Sequence, residues 1–413
     1  MLGCCPIKWA DGTPRHHMKI PAFSVTRLPN IIFGEGSLEQ VPARLGEFGT
    51  HVLIVTGGRS LRASPHWQRL LHGLTAAGIQ SWELRVEGEP SPQLVDAAVR
   101  EFRTADIHAV LGIGGGSVLD AAKAIAGLLP HQNSVMDHLE GVGPEIPYQG
   151  PSLPFIAVPT TAGTGSEATK NAVLSVQGAQ GYKKSFRHEL LVPRYAVVDP
   201  DLLATCPPEL IAANGMDALT QLLESYVSTK AHPFTDALAL SGLRAVRDGL
   251  LPWYEQSPGA AQGRAAMAYA ALLSGITLAQ VGLGSVHGLA SPVGAYFPIP
   301  HGVVCGTLVA VATEINILAL RRRAAGHGAL EKYAAIGRLF SGRDDLGEAA
   351  AQQALIDILS EWTRRLRLAS LGSYGMRASD FDAIVAGCRG SSMKTNPIVL
   401  EDDEVRDILA RRL

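Results

Sequence analysis

The chain has 413 residues, of which 46% are hydrophobic and 18% are charged, and its formal net charge is -2 at pH 7. This length is enough for two or three domains, and the composition is typical of a soluble globular protein. The charge balance gives no basic footprint for nucleic acid, and we expect no apolar run to be long enough to span a bilayer.

Residues 1–22 lack the apolar stretch of a secretory signal and are predicted to be an N-terminal extension. The five cysteines show no CxxC spacing and no regular framework, which indicates reduced thiols in a cytoplasmic protein. They are Cys4, Cys5, Cys206, Cys305 and Cys388.

Residues 23–200 alternate short apolar runs with helical patterns. The predicted strands lie at 51–58, 108–117, 154–161 and 195–200. Strands that alternate with helices predict a parallel sheet built from βαβ units. After the Asp199-Pro200-Asp201 turn the sequence changes to long Ala/Leu-rich helical segments. We therefore predict an α/β domain over 23–200 and an all-helical domain over 201–413.

The first of these strands ends in VTGGRS at 55–60. In a dinucleotide-binding sheet, an acidic residue at this place binds the ribose 2′-hydroxyl and repels a 2′-phosphate. Here Gly57 is followed two residues later by Arg59 and then by Ser60. The missing carboxylate and the added guanidinium favour NADP(H) slightly over NAD(H). A solvated arginine without a ligand is nearly as good an explanation.

A glycine-rich turn follows the second strand, in GIGGGSVLDAAKAIA at 112–126. Gly115 and Gly116 allow the backbone to approach a phosphate, and Ser117 can cap a helix whose free N–H groups favour an anion. Asp120 lies early in that helix, where it either bonds the cofactor or only complements the helix dipole. The stretch is neither GxGxxG nor a P-loop, so a tight turn without a ligand stays open as an alternative.

A second loop of small and hydroxyl-bearing residues, PTTAGTGSEATKNAVLS at 159–175, follows the third strand. Open α/β sheets bind ligands at the carboxyl ends of their strands, where both loops lie. The two loops together therefore favour a phosphate-bearing cofactor.

Four residues of the second half form a candidate metal site. His287 and His301 are fourteen residues apart and each precedes a glycine, in GSVHGLASPVGAYFPIPHG. Asp217 and Gln221 are four residues apart in a helix-periodic segment, which places both on one face. One carboxylate oxygen, one amide oxygen and two imidazole nitrogens suit a divalent first-row metal with one open position. A metal beside a dinucleotide suggests hydride transfer to a polarised carbonyl.

These segments resemble the iron-containing (group III) alcohol dehydrogenase family. The matching pieces are GGGSVLDAAKA, PTTAGTGSEAT, DP-DLLATCPPELIAANGMDALTQLLESYVS, HGLASPVGAYFPIPHG and SSMKTNPIVLEDDEVRDIL, so the likeness runs from about residue 23 to the end. It implies an N-terminal Rossmann-like dinucleotide-binding domain, an all-α C-terminal domain and an active site in the cleft between them. It also implies NAD(H) or NADP(H), Fe²⁺ or Zn²⁺, and an alcohol or aldehyde substrate.

The resemblance assigns roles to individual residues. Asp217, His287 and His301 match metal ligands, and Lys183 matches a lysine that contacts the cofactor, with Lys184 as a near competitor. The remaining cofactor positions are Gly115, Gly116 and Ser117 at the pyrophosphate, Asp120 at a further cofactor contact, and Thr160, Thr161 and Thr164 on the nicotinamide side. The family is commonly dimeric or larger, and 23–33 (FSVTRLPNIIF) is a candidate interface strand of a homo-oligomer.

Two residues depart from the family pattern, at a metal-ligand position and at a position near the substrate. Gln221 stands where the family has its first ligating histidine, and Ser291 stands where many members have a further histidine near the substrate. Gln221 either binds weakly through its amide oxygen, or turns away and leaves three ligands, or marks a site without metal. We therefore predict a metal-dependent alcohol dehydrogenase or aldehyde reductase. The alternatives are a metal-free reductase similar to maleylacetate reductase, and a non-catalytic nucleotide-binding protein with a decayed metal site.

Overall fold

The structure is a computed structural model, and it describes residues 20–58, 60–178 and 181–413. Arg59, Cys4 and Cys5 lie outside these ranges, as does most of the predicted extension, so the predictions made for them concern residues that are not described.

Within the described ranges the chain forms eight β-strands. They are β1 (Asn30–Phe33), β2 (His51–Thr56), β3 (Gln80–Arg85), β4 (Ala109–Gly114), β5 (Phe155–Pro159), β6 (Asn171–Val176), β7 (Tyr182–Arg187) and β8 (Tyr195–Val198). All but β6 and β7 form one parallel sheet in the order β1-β8-β5-β4-β2-β3. The predicted parallel sheet is confirmed, with β2, β4, β5 and β8 at the predicted places.

The remaining two strands, β6 and β7, form an antiparallel hairpin outside the sheet. The sequence patterns did not predict this hairpin, nor the edge strand β3, whereas β1 lies within the segment 23–33 that the family resemblance gave as a candidate strand. Residues 30–33, within the candidate interface strand, pair with β8 of their own chain.

The same ranges contain thirteen α-helices. They are α1 (Val41–Gly46), α2 (Pro65–Ala76), α3 (Pro92–Phe102), α4 (Gly116–Leu128), α5 (Pro208–Val227), α6 (Pro233–Tyr254), α7 (Ala260–Val281), α8 (Ser285–Tyr296), α9 (His301–Arg323), α10 (Ala329–Ser341), α11 (Glu348–Arg365), α12 (Phe381–Gly387) and α13 (Asp402–Ala410). The predicted change from an α/β half to a helical half is confirmed, because strands end at Val198 and long helices begin at Pro208.

The core of the helical half is built around α5, which packs against α6, α7 and α9. Nearly every residue of α5 from Ile211 onward is buried, because the helix is apolar on almost all sides. Polar residues on such a helix lie in the interior and require partners there. This is how the fold brings Asp217 and Gln221 into the protein.

Two helices, α7 and α9, are long and apolar enough to cross a membrane by length and composition alone. The expectation that no apolar run would reach this length was therefore wrong. Most of each apolar window is buried inside the protein, and both helices pack against α5. Their apolar character is accounted for by burial in the helical core.

Candidate active site

The glycine turn joins β4 directly to α4, with Gly115 as the residue before the helix. A Cβ atom at Gly114 would lie 2.6 Å from Val118 Cβ, and one at Gly116 would lie 2.6 Å from Thr164 Oγ1. Side chains there would overlap their neighbours, so glycines are needed for the turn to close against the helix and against the second loop. Gly115, Gly116 and Ser117, at the start of α4, border the cavity in front of the turn, and a helix start of this kind favours an anion.

Of the second loop predicted at 159–175, residues 160–170 form the connection between β5 and β6, and this connection, called the second loop below, lies beside the glycine turn. The N–H of Thr160 donates to the carbonyl of Gly114 over 2.9 Å. Gly165 has a positive φ of 62°, a conformation that glycine adopts without strain. It packs so closely on Gly275 of α7 that a Cβ atom at either position would overlap the backbone of the other. The loop is thereby held between the sheet and the helical half.

A buried lysine, Lys123, fastens the second loop to α4. Its Nζ atom donates to the carbonyl of Ser166 over 2.9 Å, to Thr169 Oγ1 over 2.8 Å and to the carbonyl of Asn171 over 2.8 Å. Burial lowers the pKa of Lys123 to about 8. Sequence reasoning gave this residue no role, although a lone lysine within the apolar run AAKAIA was a signal for a buried, fully bonded ammonium group.

Asp120 belongs to the same network. Ser166 Oγ donates to one carboxylate oxygen over 2.5 Å, and the N–H of Val173 donates to the other over 3.1 Å. Both oxygens of Asp120 therefore have protein partners, and the residue ties α4 to the second loop and to β6. Asp120 also borders the cavity in front of the glycine turn, so its assignment as a cofactor contact stays a prediction.

The hairpin supplies a lysine to the cavity. Lys183 on β7 forms an ion pair with Glu89, with 2.5 Å between Nζ and Oε1, and Ser175 Oγ donates to the other oxygen of Glu89 over 2.5 Å. Lys184 also borders the cavity but is more exposed. Ser291 on α8 donates its hydroxyl to the carbonyl of Lys183 over 3.2 Å, which joins the hairpin to the helix that carries His287.

Three helices bring four potential metal ligands together. Asp217 lies on α5, His287 on α8, and His301 and Cys305 on α9, and their ligand atoms all lie within 4.8 Å of one another. Asp217 Oδ1 is 3.2 Å from His287 Nε2 and 3.7 Å from His301 Nε2. A tetrahedral site with metal–ligand bonds of about 2.0–2.2 Å has edges of about 3.3–3.6 Å, so this spacing fits a divalent metal.

The surroundings of Asp217 favour its ionised carboxylate, which is the form that binds a metal. Burial alone would raise the pKa of this carboxyl, but the charge of His301 and the hydrogen bond from His287 outweigh burial, and the pKa falls to about 2. The carboxylate is ionised at neutral pH, as metal coordination requires.

Sequence reasoning did not single out Cys305 or Glu224. Cys305 Sγ lies 3.6 Å from His287 Nε2 and 3.7 Å from His301 Nε2. Glu224, one turn beyond Gln221 on α5, lies 2.7 Å from His287 Nδ1 and also accepts the N–H of Val286. The i,i+4 spacing from His301 to Cys305 was a readable signal, whereas the contact of Glu224 depends on the packing of α5 against α8.

Gln221 is buried in the same region and has a partner of its own. Its Oε1 atom accepts the hydroxyl of Ser274, on α7, over 2.7 Å. Ser274 Oγ also lies 2.8 Å from the carbonyl of Ala271, and an amide oxygen has two lone pairs, so the role of Gln221 as a metal ligand stays a prediction.

The four potential metal ligands Asp217, His287, His301 and Cys305 are called the metal-type cluster below. One cavity of about 1130 Å³ connects the glycine turn to this cluster. Its walls include most of the residues that the sequence singled out. They are Gly57, Ser60, Gly115, Gly116, Ser117, Asp120, Thr160, Thr161, Thr164, Lys183, Asp217, Gln221, His287, Ser291 and His301. A cavity that joins a glycine turn to a cluster of carboxylate and imidazole ligands can hold a phosphate-bearing cofactor and a metal side by side.

Comparison with known proteins identifies the family. The sequence profile for iron-containing alcohol dehydrogenase matches residues 29–200, and the profile for the C-terminal part of the Fe-containing alcohol dehydrogenase family matches residues 211–413. The chain therefore belongs to the iron-containing alcohol dehydrogenase family. It is an oxidoreductase that acts on CH–OH groups, and this family binds a nicotinamide dinucleotide and a metal.

Individual relatives agree over nearly the whole length. An NADPH-dependent butanol dehydrogenase of Clostridium saccharobutylicum is 31% identical, over 92% of this chain and 95% of that protein. An NAD-dependent methanol dehydrogenase of Bacillus methanolicus is 28% identical, over 93% and 98% respectively. The crystal structure of an archaeal halo-thermophilic alcohol dehydrogenase from a Red Sea brine pool superposes with a TM-score of 0.87 at 26% identity, over 96% of this chain and 100% of that one.

Proposed function

We propose that this chain interconverts small alcohols and aldehydes with a nicotinamide dinucleotide, and that Asp217, His287 and His301 hold a divalent metal at the inner end of the cofactor cavity. The observation that carries the proposal is the single cavity, which contains both the glycine turn and the metal-type cluster. When bound, the dinucleotide supplies a hydride and the metal supplies Lewis-acid polarisation of the carbonyl.

The cofactor residues would act from two sides. Gly115, Gly116 and Ser117 would bind the pyrophosphate through the start of α4. The second loop, with Thr160, Thr161 and Thr164, would hold the nicotinamide side, and Lys183 would contact the cofactor from the hairpin. Asp120 would act indirectly, because its bonds to Ser166 and Val173 set the position of the second loop.

The cofactor preference is proposed to lean toward NADP(H). Gly57 and Ser60 border the cavity and neither carries an acidic group, so a 2′-phosphate meets no carboxylate at the end of β2. The metal is proposed to be Fe²⁺ or Zn²⁺. We also propose the division into 1–22, 23–200 and 201–413, a cytoplasmic location and a homo-oligomeric state, of which the division is supported by the two profile matches.

The test uses full-length protein freed of metal with a chelator and reloaded separately with Zn²⁺, Fe²⁺ or Mn²⁺. Oxidation of NADPH and NADH is followed with a panel of aldehydes and ketones, and Asp217→Asn is the matched variant. Turnover that depends on metal and is lost in Asp217→Asn supports the proposal. Turnover without metal supports the metal-free reductase, and tight dinucleotide binding without any turnover supports the non-catalytic alternative.

A further inference from the structure

Cys305 is the one member of the metal-type cluster that neither the sequence analysis nor the proposed function uses. We infer that the Cys305 thiolate, and not the Gln221 amide, is the fourth protein ligand, so that the site is Asp–His–His–Cys and prefers Zn²⁺ to Fe²⁺. This inference rests on the proposed metal-dependent function and names the ligand set of that same site.

The distances support a fourth ligand at Cys305. Its Sγ atom lies 3.6 Å and 3.7 Å from the Nε2 atoms of His287 and His301, the same two atoms that face Asp217. With a metal–sulfur bond of about 2.3 Å and a metal–nitrogen bond of about 2.05 Å, the sulfur–nitrogen edge of a tetrahedron is about 3.6 Å. Both sulfur–nitrogen distances are therefore those of two ligands on one metal ion, and the substrate oxygen would enter as a fifth ligand.

The sequence positions explain this placement. Cys305 follows His301 by four residues on α9, so both side chains project from the same face of the helix. Asp217 and Gln221 have the same spacing on α5. The chain has thus kept one ligand on α5 and has two on α9, which compensates for a glutamine where the family has a histidine.

Gln221 is the weaker candidate on both contact and chemistry. Its Oε1 atom already accepts the hydroxyl of Ser274 over 2.7 Å, whereas Cys305 Sγ faces two imidazole nitrogens. A neutral amide oxygen is also a poorer ligand than a thiolate for Zn²⁺, and soft sulfur ligands shift a site toward Zn²⁺. We infer that Gln221 shapes the cavity wall beside the site instead.

A buried cysteine often serves only as a small apolar side chain, and Cys305 is completely buried. That role does not require sulfur to lie between two imidazole nitrogens that both point at a carboxylate. On metal binding the Cys305 thiol would lose its proton to solvent and form a sulfur–metal bond, with no change of oxidation state.

The experiment uses Co²⁺ as a spectroscopic probe in the full-length protein. Metal-free protein is loaded with one equivalent of Co²⁺, and the near-ultraviolet absorption is recorded. We expect an intense thiolate-to-Co²⁺ charge-transfer band in the wild type, which is lost in Cys305→Ser. The band should survive in Cys206→Ser, in Cys388→Ser and in the double variant Cys4→Ser/Cys5→Ser, which control for the other thiols.

Zinc affinity gives a second readout, measured by competition with a chromophoric chelator. We expect the Kd for Zn²⁺ to rise about tenfold or more in Cys305→Ser and by less than about threefold in Gln221→Ala. Wild-type protein that binds Co²⁺ without the band, or a larger loss in Gln221→Ala than in Cys305→Ser, would overturn the inference and leave the proposed function standing. Wild-type protein that binds neither Co²⁺ nor Zn²⁺ would overturn both.

Discussion

His287 and Glu224 form a buried pair in which Nδ1 of the imidazole lies 2.7 Å from Oε2 of the carboxylate. The opposite nitrogen, Nε2, lies 3.2 Å from Asp217 Oδ1. With Nδ1 bonded to Glu224, a metal that displaces the proton between Nε2 and Asp217 would meet the lone pair of Nε2 in the ligand cluster. Glu224 is itself fixed, since its other oxygen accepts the N–H of Val286. It is therefore a positioning residue for His287.

Glu224→Gln should weaken metal binding without removing a ligand. The amide keeps the size of the side chain but no longer offers charged acceptors to both His287 and Val286, so we expect the Kd for Zn²⁺ to rise roughly 10–100-fold. Chelator competition measures this change. Glu331→Gln, at an exposed ion pair with Arg338, is the control. An unchanged Kd in Glu224→Gln would show that the pair does not orient the ligand.

Gly116→Ala should impair dinucleotide binding. The added methyl group would lie 2.6 Å from Thr164 Oγ1, so the glycine turn and the second loop must move apart. We expect the Kd for NADPH to rise about tenfold, which corresponds to about 1.4 kcal/mol, as measured by fluorescence titration. Gly46→Ala on α1, where no atom lies within 4 Å of the new methyl group, should leave the Kd unchanged.

Gly57→Asp tests the proposed cofactor preference. A Cβ atom at Gly57 meets only Val118 Cγ2 at 3.5 Å, an ordinary contact, so the substitution fits. The new carboxylate would repel a 2′-phosphate and could accept a ribose 2′-hydroxyl. We expect the ratio of kcat/KM for NADPH to that for NADH to fall about tenfold or more. Gly57→Ala supplies the same Cβ without charge, and an equal fall in that variant would contradict the explanation.

Lys123→Met should destabilise the fold. It removes the donor from the buried acceptors around Ser166 and Asn171 and leaves the Asp120 carboxylate buried without its cation. Breaking such a buried network costs roughly 3–5 kcal/mol of unfolding free energy, which urea denaturation would measure. Lys170→Met disrupts the more exposed pair with Glu189 and should cost less than about 1 kcal/mol. Similar losses of unfolding free energy in the two variants would mean that the buried network around Lys123 stabilises the fold no more than the exposed ion pair does.

Glu167 predicts a pH dependence of stability. Burial raises its pKa from 4.5 to about 7. Between pH 4.5 and pH 7 the folded protein therefore binds more protons at this site than the unfolded chain does. Its stabilising contribution is complete below pH 4.5 and is lost as the pH rises through 7. Relative to Glu167→Gln, the wild type should lose roughly 3 kcal/mol of unfolding free energy across this window. Urea denaturation of both proteins at several pH values checks this, and parallel curves would contradict it.

The sequence predicted the elements whose signal is local. The continuous apolar runs of β2, β4, β5 and β8 are recognisable because both faces of these strands are buried. The edge strand β3, QSWELR, is mostly exposed and mixes polar with apolar residues, and β7, YKKSFR, is mostly polar. Their strand structure depends on pairing with a neighbour, which a short window of sequence does not show.

The same distinction applies to the site. The Asp217/Gln221 spacing and the two HG pairs are local patterns, and the structure brings Asp217, His287 and His301 together as the residue types suggested. The hydrogen bond between Ser274 and Gln221 joins α7 to α5, and a local sequence pattern does not predict a contact between two separate helices. The hydrogen bonds from Lys123 to Ser166 and Thr169 likewise depend on where the second loop lies relative to α4.

The backbone contact between Gly165 and Gly275 also sets the distance between the second loop and α7. The loop proposed to hold the nicotinamide rests on α7 without an intervening side chain, and the proposed metal ligands lie on helices packed around the same core. In the proposed function, this contact limits how closely the nicotinamide can approach the metal. A methyl group at Gly165 or Gly275 would push the loop and α7 apart, which would move the proposed hydride donor away from its acceptor without changing any of the proposed reacting groups.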